Sequence, residues 1–148
     1  MTVPQTVART VDQTQHWLKG MTDALGLQDE DAAWSVLRGV LLHLRDRLPP
    51  DEATDLGAQL PTLVRGLYYE AWKPAATPEK DRSRDEFFTR VAERMGGRPD
   101  IDFENACRVV FALLEAELDS GEIDEVAKAM PAEVRDLWPE SVRARIAH

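Results

Sequence analysis

Glu115, Glu117, Asp119, Glu122, Asp124 and Glu125 make the densest run of oxygen ligands in this chain, the kind of cluster that hard cations favour. Read as a helix-loop-helix calcium loop starting at Glu115, the run puts Ser120 where the turn glycine belongs and Val126 where the closing glutamate belongs. The expectation is therefore a solvated acidic face. The histidines, His16, His43 and His148, lack the glutamate three residues earlier that a carboxylate-bridged di-metal bundle needs, since those positions hold Gln13, Val40 and Arg145. His43 aligns with an apolar position of an internal repeat described below and is expected to be packed. Cys107 falls on an apolar helix face, which predicts a small buried hydrophobe, and a single cysteine leaves no internal disulfide. Neither a glycine-rich phosphate loop, a Gly-x-Ser-x-Gly elbow nor a His-Glu-x-x-His pair is written in the chain. The reading names no catalytic residue, no metal and no cofactor, and treats the protein as non-enzymatic.

The elements that would position these residues are written twice. A shift of 70 residues lays Trp17 on Phe87, Met21 on Val91, Gly26 on Gly96, Leu41 on Phe111, Leu44 on Leu114, Pro61 on Pro131 and Leu67 on Leu137. Trp17, Leu18, Met21 and Leu25 share one helical face that Gly26 ends. Asp29 to Asp31 open a second, longer helix through Val36, Val40, Leu44 and Leu48, matched by Phe103 through Leu118. Pro50 starts a short helix, Asp119 with Glu122 starts its counterpart as a capping box, and Pro61 and Pro131 open the last short helix of each half. The fold class expected is all-α: two tandem short-helix bundles, about eight helices, related by a pseudo-two-fold and sharing one core. Residues 1–13 read as a polar tail, 14–70 and 85–139 as the two repeats, 71–84 as a linker and 140–148 as a C-terminal tail.

Composition narrows the function. The chain has 148 residues, 43% of them hydrophobic and 30% charged, as an ordinary globular domain has. A net charge of −9 repels a phosphate backbone, so nucleic acid is not an expected partner. The basic spots at Lys80, Arg82 and Arg84 and at Arg143 and Arg145 read as solvated charge. With no apolar run of membrane-spanning length and no signal-peptide pattern, the expected location is the cytoplasm.

Registers shared by the two halves are architectural. Arg38 with Glu52 and Arg108 with Glu122 are expected as structural ion pairs. Where the halves differ, aromatics of the first face polar or small residues of the second: Trp34 meets Glu104, Tyr69 meets Pro139 and Trp72 meets Val142. Trp34, Tyr68, Tyr69 and Trp72 are therefore the candidate interaction surface, aromatic residues being favoured interface anchors. The opposite reading has them cementing the halves together.

The duplicated pattern, with Leu60-Pro61 leading into Leu67-Tyr68-Tyr69-Glu70-Ala71-Trp72-Lys73-Pro74 and the following Asp85-Glu86-Phe87-Phe88-Thr89-Arg90-Val91, resembles a bacterial family known as domain of unknown function twenty-two sixty-seven. The resemblance covers roughly residues 14 to 139 and implies a cytoplasmic, duplicated, all-helical domain with no catalytic residue to transfer. Ala71 stands where that family commonly has glycine before the tryptophan. The function expected is a protein-interaction or scaffolding module, with a protein partner or a second copy as the occupant. The alternative is a small-molecule binder with an apolar pocket at the junction of the halves, lined by Trp34, Trp72 or His43.

Overall fold

The computed structural model describes residues 2–96 and 100–147, and within them the chain is helical with no strand. Among the described residues nine α-helices follow one another: α1 (Gln5–Leu25), α2 (Glu30–Asp46), α3 (Pro50–Gln59), α4 (Thr62–Tyr68), α5 (Arg84–Arg94), α6 (Phe103–Glu117), α7 (Ser120–Lys128), α8 (Ala132–Arg135) and α9 (Glu140–Ile146), with one 3₁₀ turn at Pro74–Ala76.

Local chemistry sets most of the boundaries. Asp29 accepts a hydrogen bond from Ala32 N–H at the start of α2, and Asp102 does the same for Asn105 at α6. Ser83 and Glu86 form a complete capping box on α5, which the sequence reading passed over. At α7 the expected box is only half made. Asp119 accepts from Glu122 N–H, but the Glu122 side chain turns away to face α3.

Two segments expected to be tails are helical. Residues 5–13 are the first turns of α1, started by the Pro4 carbonyl, which accepts from Val7 and Ala8, and tied to α4 where Leu63 N–H donates to Thr10 Oγ1. Their apolar residues face outward, so no inward-facing period marked them. Residues 140–146 form α9, which buries Val142 and packs against α7.

The shift of 70 residues also relates parts of the structure. Helices α3 and α7 begin 70 residues apart, as do α4 and α8, and Gly26 and Gly96 both take positive φ. Arg65 caps the end of α3 by donating to the carbonyls of Gly57 and Leu60, and Arg135 donates to the carbonyl of Met130. Tyr68 and Trp138 are both fully buried. Elsewhere the correspondence loosens, since α6 starts three residues later than the shift would place it.

The two halves share one core. Helix α5 packs along α2, and α1 packs along both α2 and α6, so the first helix of each half lies against the long helix of the other. Phe87 from α5 meets His43 edge-on at 4.7 Å, and Phe111 stacks on Trp138 at 4.1 Å. The α2–α5 crossing is close enough that a Cβ on Gly39 would collide with the Val91 carbonyl and the Met95 side chain. This is where the polar cluster of the next section forms.

Ala71, the residue that departs from the glycine of the resembling family, has φ of 54°. An L-residue is strained in this left-handed region, where glycine is not. Ala71→Gly is expected to stabilise the protein by about 0.5–1 kcal/mol in denaturant titration, a gain that reflects relief of backbone strain.

Candidate functional site

From Gly39 to Asp46 every residue of α2 is buried, although the stretch includes His43, Arg45 and Asp46. A helix with no solvent face must find partners for its polar groups inside the protein. It finds them at the end of α4 and in the segment after it, of which residues 71–84 are expected to be a linker. Glu79 N–H donates to the Asp46 carbonyl at 2.7 Å, Arg45 donates to the carbonyls of Tyr68 and Glu70, and His43 Nε2–H donates to Asp81 Oδ2 at 2.9 Å. Asp81 is 1% exposed. Residues 69–82 are thus a strap laid over the C-terminal half of α2.

Helix α5 closes the cluster from the other side. Arg94 bridges Asp46 and Glu79, Arg90 pairs with Glu79, and Arg47 lies 3.7 Å from Asp81. Burial alone would raise the Asp81 carboxyl, but the hydrogen bond from His43 and the neighbouring charges of His43 and Arg47 outweigh it and hold Asp81 below its ordinary value.

His43, Glu79 and Asp81 present ligand atoms close enough together to hold a metal ion. The donor set does not fit one. Arg45, Arg47, Arg90 and Arg94 surround the carboxylates of Asp46, Glu79 and Asp81, so the positive charge a cation would supply is already there. The cluster is an ion-pair network that fixes the strap.

A second cluster lies where α3 packs on α7. Glu52 and Asp55 face Glu122, and Glu52 Oε1 and Glu122 Oε2 are each shut off from solvent without a hydrogen-bond donor. Partial burial, the adjacent Glu52 carboxyl and the charges of Asp55 and Glu125 push Glu122 up to about 8. The expected pairs of Arg38 with Glu52 and Arg108 with Glu122 are absent. Arg38 pairs with Glu70, and Arg108 with Glu104 and the Asp136 carbonyl, because α3 and α7 turn their glutamates toward each other.

The acidic run is also not simply solvated. Glu115 and Asp124 grip Arg145 of α9 at 3.0 and 2.9 Å, and Arg143 donates to the Trp138 carbonyl, which uses up that basic spot. Cys107 is fully buried, and desolvation pushes its thiol well above the ordinary range. His43 is packed, His16 is an exposed partner of Glu117, and His148 lies outside the described residues.

The candidate aromatic surface divides. Tyr68 is a correction: it has no exposed surface, its hydroxyl donates to the Ala53 carbonyl at 2.7 Å, and it cannot meet a partner. Trp34, Tyr69 and Trp72 are half-buried against the core, with Tyr69 and Trp72 rings 5.4 Å apart. A groove of about 550 Å³ opens where the strap meets α2 and α5, but Arg38, Arg45 and Arg94 on its wall are each paired with carboxylates. Neither Trp34, His43 nor Trp72 lines this groove or the four others described. The structure thereby adds Asp46, Glu79, Asp81 and Arg94 to the residues of interest. The one sequence signal for them was charge concentrated in a segment without apolar period.

Two predictions follow from the opposite signs of these carboxyls. Asp81, lowered by folding, contributes stability that is present above its unfolded value of 3.8 and lost as pH falls through its folded value. Asp81→Asn is expected to cost about 2 kcal/mol at pH 7. The difference from wild type should vanish in urea titrations run in strong acid. Glu122, raised by folding, does the reverse: stability falls as pH climbs from its unfolded 4.5 to about 8. Glu122→Gln should flatten the pH dependence of Tm in that window and leave the variant more stable than wild type at pH 8.

Residues 14–137 match a family described as "Uncharacterized conserved protein (DUF2267)". Among curated proteins no match is found.

Proposed function

The chain belongs to the DUF2267 family, and on that premise we propose that it is a non-enzymatic protein-interaction module. The observation that carries this reading is a row of outward-facing apolar side chains on its first helix. Val7 and Val11, 47% and 38% exposed, stand one turn apart on the outer face of α1, and Val3, 52% exposed, sits just before the helix. Leu63 of α4, 43% exposed, lies beside the row, because its N–H is bonded to Thr10. Single exposed hydrophobics need no explanation, but an aligned set joined across two helices is what a partner's apolar face would cover.

Val7 and Val11 are about 6 Å apart at 1.5 Å per residue. A strip this short suits a small or transient contact with another protein, below the size of a standard stable interface. Half-buried Trp34, Tyr69 and Trp72 remain secondary contacts in this reading. Against catalysis stands the sealing of Cys107 and His43 within the core. The paired carboxyls Glu52 and Glu122 likewise line none of the described grooves.

The test compares wild type with Val7→Asp/Val11→Asp, both tagged and recovered from the protein's own cells and weighed by native mass spectrometry. The reading expects a protein at fixed stoichiometry with wild type and its loss with the variant, while Tm changes by less than a few degrees because the side chains are exposed. Equal recovery with both proteins, or a bare chain with both, contradicts it.

A further inference from the structure

In a protein of net charge −9, one groove gathers four cations, of which only Arg47 has a carboxylate partner, Asp81. It runs between the end of α2, the strap and the turn into α8, has a volume of about 520 Å³, and carries Arg47, Lys80, Arg82 and Arg135 on its walls. Two carboxylates also line it, and both are engaged. Glu79 is held by Arg90 and Arg94, and Glu133 accepts from the Arg84 N–H.

The cations are not comparably satisfied. Arg47 Nε is shut off from solvent with no hydrogen-bond acceptor, and its nearest carboxylate oxygen, on Asp81, is 3.7 Å away. Arg135 spends its Nε–H on the Met130 carbonyl and makes no ion pair, and Lys80 and Arg82 are exposed with no side-chain partner among the described residues. An oxyanion in the groove would supply acceptors to the exposed Lys80 and Arg82 and to the groove-lining guanidinium groups of Arg47 and Arg135.

We propose that this groove binds a small organic phosphate monoester. Several converging cations, arginine foremost, match a phosphoryl group's three acceptor oxygens and double charge better than a single carboxylate's. The volume lies in the range of small-molecule sites. Pro78, Ala129, Met130 and Pro131 give the groove an apolar side against which the organic part lies. The field of the whole protein repels a long polyanion, which must run past the acidic surface, far more than a compact dianion seated among four cations. The ligand class is thereby a free small molecule and not a nucleic acid.

The experiment is an NMR titration of the full chain with phenyl phosphate, with phenol and with inorganic phosphate, repeated on Lys80→Gln/Arg82→Gln, a pair of exposed positions whose change leaves the core intact. Phenyl phosphate should shift the amide resonances of residues 80–82 and 132–135 saturably, inorganic phosphate should bind more weakly, and phenol should not bind there. The double variant should weaken phenyl phosphate binding about tenfold. No saturable shift at these residues, or equal affinity in the double variant, overturns the site. Inorganic phosphate binding as tightly as phenyl phosphate overturns the organic component.

Discussion

Between Gly39 and Asp46 the second helix is buried on every side, and much of the rest of the molecule is arranged to make that tolerable. Glycine at position 39 lets α5 cross closely, and the crossing covers one flank. Helices α1, α4 and α6 also pack on α2. A strap of irregular chain covers what they leave, because His43 offers it a donor to Asp81, Arg45 a donor to the Glu70 carbonyl and Asp46 a backbone acceptor for Glu79. The charge network is thus a consequence of burying a polar helix end. It also spans the chain, since it ties α2 of the first half to α5 of the second through residues between them.

Such networks specify geometry more than they add stability. Replacing buried ion pairs with matched apolar residues is often neutral, whereas removing one partner leaves an uncompensated charge. The network therefore holds the strap in one position. The strap in turn sets two surfaces, the groove whose cations are internally paired and the groove at Lys80 and Arg82, whose cations are not. The paired glutamates between α3 and α7 are the opposite case, a contact kept at some cost near neutral pH because packing brings two acidic positions together.

Much of the helical order was legible in the chain because it depends on local signals and apolar period. The stop at Gly26, the proline before α4 and the long faces of α2 and α6 all follow rules that act over a few residues. What was not legible depends on partners far away in sequence. Residues 71–84 read as a linker because a segment held by polar bonds shows no apolar period, and nothing local marks Asp81 as the partner of His43. The first turns of α1 were missed because Val7 and Val11 face away from the core, and α9 because a single buried valine and the Arg145 bridges anchor it. Tyr68 shared its motif with Tyr69 and Trp72, yet only its hydroxyl reaches a buried carbonyl, which draws that ring fully inside.

The central claim is that residues 69–82 are a docked part of the fold, and the amide of Glu79, bonded to the Asp46 carbonyl at 2.7 Å, reports on it directly. Native-state hydrogen exchange at Glu79 is the measurement. The account predicts protection comparable to the central amides of α2, because opening this bond requires breaking the network around it. Exchange at the rate of an unstructured loop, with α2 itself still protected, would contradict the account.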